Sequence, residues 1–66
     1  MLKITKEEEL AVLTALEVFE NDKEYIIQSN HRRWFENPWQ LVCEPLNAWD
    51  DDKLREALYE GYEVIE

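Results

Sequence analysis

The fold turns on how one stretch is read: Glu24-Tyr25-Ile26-Ile27-Gln28-Ser29-Asn30-His31-Arg32-Arg33-Trp34-Phe35-Glu36-Asn37-Pro38-Trp39-Gln40-Leu41-Val42-Cys43-Glu44. Its first six residues are rich in β-formers and are followed by Asn30, a pattern that predicts a strand. Trp39 to Glu44 predicts another, closed by Pro45, with alternation placing Trp39, Leu41 and Cys43 on one face. The two would pair as a hairpin. Between them, Arg32 to Glu36 is either a strand of its own, with turns at Asn30-His31 and Asn37-Pro38, or a long tip. A competing reading makes Asn37 the N-cap and Pro38 the first position of a short helix.

On the amino-terminal side, Met1 to Thr5 alternates Leu2 and Ile4 with more polar neighbours, a strand pattern that can equally be a loose lead-in. Thr5-Lys6-Glu7-Glu8 has the form of a capping box, and Glu7, Glu8 and Glu9 suit the positive end of a helix dipole. A helix over about Lys6 to Glu20 follows, with Ala11, Val12, Ala15, Leu16 and Phe19 gathered on one side, stopping near Asn21-Asp22. On the carboxyl-terminal side, Asn47 or Asp50 can cap a second helix running to about Glu60, with Leu54, Ala57 and Leu58 inward. Gly61, the one glycine, fits the left-handed position that ends a helix, and Tyr62 to Glu66 reads as a final strand. The expected architecture is a single small α+β domain over residues 1–66. Two helices would pack on one face of a small, mainly antiparallel three- or four-stranded sheet in the order (β)αββαβ, in outline like the ferredoxin-like motif.

A chain of 66 residues has room for one core, near the lower limit for stability without disulfides or metal. Leu10, Leu13, Leu16, Phe19, Ile27, Trp39, Leu41, Leu54, Leu58 and Val64 are enough to build it, and a dimer would make stability easier to reach. Cys43 is the single cysteine, which excludes an internal disulfide and fits a reducing compartment. Without an apolar leader or a run of roughly 20 apolar residues, the expected location is cytoplasmic, away from the membrane. With Ile27, Leu41 and Val64 inward, the expected sheet turns Ile26, Val42 and Ile65 outward. That sticky patch would serve a dimer or a docked partner unless loop aromatics such as Trp34 cover it.

Sixteen acidic residues against seven basic ones leave a formal net charge of −9. Residues 1–24 set three lysines against seven acids, residues 25–43 two arginines against one glutamate, and residues 44–66 two basic residues against eight acids. Such a balance opposes general nucleic-acid binding and favours a basic protein partner. Candidate partner-binding acids are Glu7, Glu8, Glu9, Asp50, Asp51, Asp52, Glu56 and Glu60. Carboxylates at i and i+4 stand roughly 5 to 6 Å apart on a helix, comparable to phosphates along a strand. Such a protein could occupy the basic cleft of a nucleic-acid enzyme as a decoy; in charge and size alone, it resembles small inhibitors that phages and plasmids make against host or defence enzymes, with no particular family indicated. The plainer alternative is that the excess charge serves solubility.

A second candidate is His31, Arg32, Arg33, Trp34, Phe35 and Trp39, where guanidinium groups and aromatic faces would take nucleic acid or an anionic peptide. Against it stands internal use: the arginines would pair with Glu24 or Glu36, and the aromatics would complete the core. Catalytic residues are not indicated, since His31 and Cys43 are single copies without an evident partner. Asp50-Asp51-Asp52 lacks the spacing, glycine and closing glutamate of a calcium loop, and there is no glycine-rich phosphate cradle, so neither a metal nor a cofactor is expected. The expected function is a non-enzymatic inhibitor or adaptor.

Overall fold

The computed structural model describes residues 1–33 and 38–65. Along them run β1 (Leu2–Ile4), α1 (Lys6–Val18), α2 (Lys23–Arg32), a 3₁₀ helix (Leu41–Ala48), α3 (Asp51–Arg55) continuing as a π-helical turn (Glu56–Glu60), and β2 (Tyr62–Val64). The protein is mostly helical, and among the described residues the sheet has two short parallel strands, so the expected antiparallel sheet of three or four strands is not formed. The ferredoxin-like outline falls with it. The proposed strand over Arg32 to Glu36 and the Asn37 cap lie largely or wholly outside the described residues, though Arg32 itself closes α2.

The first error is at Glu24 to Ser29, which is helical. Asp22 supplies an N-cap, its carboxylate accepting from the Tyr25 backbone N–H at 3.1 Å, while Glu24 sits in the first turn and His31 and Arg32 in the last. Ile26 and Asn30, one helical turn apart, are both 0% exposed. Local β preference thus yields to capping and to a buried i,i+4 face. Ile26, expected to point outward, belongs to the core.

The second error is at Trp39 to Glu44. Gln40 is extended, Leu41 turns the chain at φ +56°, and the 3₁₀ helix begins. Its buried residues, Cys43 and Leu46, and the Trp49 that follows are spaced by three, the period of a helix with three residues per turn. Alternation therefore fails: Cys43 is buried and Trp39 half-buried, but Leu41 is 93% exposed.

The flanking elements form close to their expected positions. Glu8 N–H donates to Thr5 Oγ1 at 3.2 Å and Thr5 N–H to Glu8 Oε1 at 2.8 Å, completing the capping box. Ala11, Val12 and Ala15 are buried, with Leu16 and Phe19 packed beside them, but Leu10 and Leu13 are exposed. Small alanines let the 3₁₀ helix lie close against α1, where the Cys43 thiol donates to the Ala11 carbonyl at 3.6 Å. Helix α1 ends at Val18, short of the expected Asn21-Asp22, and the chain reverses through Glu20 and Asn21 at φ +56° and +65°.

Asp50 rather than Asn47 caps α3, accepting from Lys53 N–H at 2.7 Å. The π turn ends where Gly61 N–H donates to the Glu56 carbonyl at 3.1 Å. Gly61 has φ +98° and ψ −178°, a region essentially reserved for glycine, though more extended than the expected left-handed helical cap. Strand β2 then pairs in parallel with β1, in register Leu2 with Tyr62, Lys3 with Glu63 and Ile4 with Val64.

Trp49 is the largest fully buried side chain. Its indole N–H donates to Glu8 Oε2 at 2.9 Å, and its carbonyl accepts from Asn30 Nδ2 at 3.2 Å. Asn30 is the polar hub of the interior: Nδ2 also donates to Asp51 Oδ1 at 3.1 Å, and Oδ1 accepts from Trp39 Nε1 at 2.9 Å. One amide thus joins α2, the segment before the 3₁₀ helix and the start of α3. Such fully paired buried groups specify a single arrangement, because leaving any of them unpaired is costly.

Candidate protein-binding surface

The acidic residues divide into those spent on the fold and those left facing outward. Glu8 serves the capping box, the Trp49 indole and Lys53, whose Nζ lies 3.8 Å from Oε2. Partial burial raises its pKa, but the Thr5 amide, the Trp49 N–H and Lys53 outweigh it and hold the carboxyl below its ordinary value. Glu9 accepts from the Tyr62 hydroxyl at 3.1 Å, tying α1 to β2. Burial, together with that carboxylate, raises the Tyr62 phenol. Asp50 is a cap, and Asp51 accepts from Asn30 while its Oδ2 lies 2.9 Å from His31 Nδ1.

Asp52, Glu56 and Glu60 are different. All are exposed, and together with Glu24, Arg55 and Tyr59 they line an open depression reached also by Met1 and Gly61. Glu24 comes from α2, and its Oε2 lies 3.3 Å from Arg55 and accepts the Tyr59 hydroxyl. That acceptor holds the Tyr59 phenol above its ordinary value. Lys23 Nζ stands 5.0 Å from the centroid of the Tyr59 ring. Four carboxylates thus surround one guanidinium and one exposed aromatic face. Sequence reasoning missed Glu24 and Tyr59, and with α2 taken as a strand no signal brought Glu24 to α3. The regular α-helical row from Glu56 to Glu60 is also altered, because the chain there is a π turn. Glu7 lies elsewhere, beside Leu10 and Glu44.

The basic and aromatic stretch is partly consumed by the interior. Arg33 donates from Nε to the Asn47 carbonyl at 3.0 Å and from a terminal nitrogen to the Asn30 carbonyl. Of the two carboxylates expected to pair with the arginines, Glu24 meets Arg55, and Glu36 lies outside the described residues. Trp39 is half-buried, with its indole on Asn30 and its backbone clamped by Asn47, which accepts from Trp39 N–H and donates to Trp39 O, each at 2.8 Å. His31 and Arg32 are exposed. Trp34 and Phe35 lie outside the described residues.

Cys43 is buried, its thiol pKa pushed up by that burial, and its hydrogen bond goes to α1 while His31 faces Asp51. The two do not share a site. Among the described residues, no group of three or more His, Cys, Asp or Glu side chains is arranged to hold a metal ion. None of the described helices is long and apolar enough to cross a membrane. In comparisons with protein-family models, curated proteins and solved structures, nothing matches this chain.

Proposed function

We propose that this protein is a non-enzymatic binding module, acting as an inhibitor or adaptor, that receives a basic segment of another protein in the depression lined by Glu24, Asp52, Glu56 and Glu60. The observation that carries this reading is the contrast among its acids. Glu8, Glu9, Asp50 and Asp51 have partners inside the fold, whereas the carboxylates of Asp52, Glu56 and Glu60 have none among the described residues and converge beside an exposed Tyr59 ring. Lysine or arginine entering such a site gains charge-assisted hydrogen bonds and an aromatic face, and the field of a strongly anionic protein steers it there. Support comes also from the π turn beneath the site, since such turns recur at functional positions. A partner that normally holds nucleic acid would meet carboxylates in place of phosphates.

The test is affinity capture from a cell extract with the wild-type chain and with Asp52→Lys/Glu56→Lys, alongside titration of labelled DNA and RNA at low salt. The reading expects a basic protein retained by the wild type and lost from the variant, with no nucleic-acid binding. Equal retention by both chains, or salt-sensitive binding of DNA or RNA, contradicts it.

A further inference from the structure

A second surface gathers three of the exposed apolar residues in one place. Leu10 on α1 is 53% exposed, Leu41 93% and Val42 43%, and with Pro45 they line a shallow depression edged by Glu7 and Glu44. Among the described residues, no lysine or arginine lines it. Leu41 carries two local penalties at once: its side chain is in water, and its backbone sits at φ +56°, a region open to Gly and tolerated by Asn and Asp but disfavoured for other residues. The turn needs that backbone angle but not a leucine. An exposed leucine at the mouth of a 3₁₀ helix is suited to entering a partner.

We propose that Leu10, Leu41, Val42 and Pro45 form a docking surface for an amphipathic segment of another protein whose apolar side chains are flanked by lysine or arginine. Charge selects this occupant. Glu7 and Glu44 make no ion pair with another described residue, and they frame the apolar centre so that cationic flanks are matched and anionic ones repelled. A second copy is a poor occupant, since two chains of net charge −9 would bring like rims together. A stable dimer also needs about 800 Å² from each partner, about a sixth of the 4653 Å² of accessible surface, more than four partly exposed side chains offer. The proposal does not rest on the acidic depression, which uses other residues.

The experiment titrates the ¹⁵N-labelled full chain with a 14-residue amphipathic leucine/lysine peptide and with a serine/lysine peptide of equal charge, following amide shifts. The leucine/lysine peptide is expected to move Leu10, Leu41 and Val42, and Leu41→Asp to weaken its binding at least tenfold with an unchanged fold. Asp52→Lys/Glu56→Lys should leave the Leu10 and Leu41 shifts in place, which separates this surface from the acidic depression. Val42→Asp provides a second reading that leaves the Leu41 turn alone. Shifts confined to Asp52 through Gly61, equal shifts at Leu41 from the serine peptide, indifference to both aspartate substitutions, or concentration-dependent self-association through Leu41 would each overturn it.

Discussion

Replacing Asn30 with leucine keeps the side chain's approximate volume while removing every polar atom from the hub. The Trp49 carbonyl loses the amide that pairs it, and the Trp39 indole loses its acceptor. A buried polar group left without a partner costs about 1–3 kcal/mol. Asp51 is partly exposed and can turn to water or to His31, so its share is small. The leucine recovers some apolar burial, which leaves a net loss of about 2–4 kcal/mol. Marginal stability of roughly 0.05–0.15 kcal/mol per residue gives a chain of this size a total of about 3–10 kcal/mol. Urea unfolding followed by far-ultraviolet circular dichroism should show the midpoint falling by about 2 M or more, at a slope near 1 kcal/mol per molar for so small a domain. A midpoint within a few tenths of a molar of the wild type would refute the hub as the element that joins α2 to α3.

Three further outcomes follow from particular residues. Because the Glu8 carboxyl is held below its unfolded value, its contribution is fully present above about pH 4.5 and is lost as pH falls through its lowered pKa. The raised Tyr62 phenol gives stability that is present below about pH 10 and lost above it. Thermal melts from acid to alkaline pH should show both losses, and Glu8→Gln should flatten the acid limb alone. Leu41→Gly should raise stability by up to about 1 kcal/mol, since relieving the positive φ outweighs the added freedom of the unfolded chain and almost no buried surface is given up; a lower melting temperature would contradict it. Gly61→Ala should cost about 1–3 kcal/mol through the backbone alone, because an added Cβ there meets nothing within 4 Å. An unchanged urea midpoint would show that β2 can leave the helix at another angle.

The parts of the fold legible in the sequence are those marked by local chemistry: the Thr5-Glu8 box, a helix stop at Gly61, and, each as one of two open readings, the Asp50 cap and the strand through Leu2 and Ile4. Their pairing was not legible, since a parallel contact between the two ends of the chain has no local signature. Asp22 suits a turn as well as a cap, and its capping role shows only in the hydrogen bond it accepts from the Tyr25 backbone N–H. Stopping the supposed strand at Ser29 also hid Asn30, the residue that completes the buried face with Ile26. The period of three through Cys43, Leu46 and Trp49 was present in the letters but lost to an alternation that ended at Pro45. For the surface, the sequence marked Asp52, Glu56 and Glu60 among eight candidate acids. It gave no means of separating them from Glu8, Glu9, Asp50 and Asp51, whose partners lie on other elements.

The central claim is that the unpaired acids around Tyr59 receive a basic chain. Amide-shift mapping of the full protein with the serine/lysine peptide at near-physiological salt tests it most directly, because that peptide has charge but no apolar side chain. Shifts are expected to concentrate at Glu24, Asp52, Glu56, Tyr59 and Glu60, with at least tenfold weaker binding by Asp52→Lys/Glu56→Lys. Small shifts spread evenly over Glu7, Glu17, Glu44 and Glu63 as well, unchanged in that variant, would contradict it.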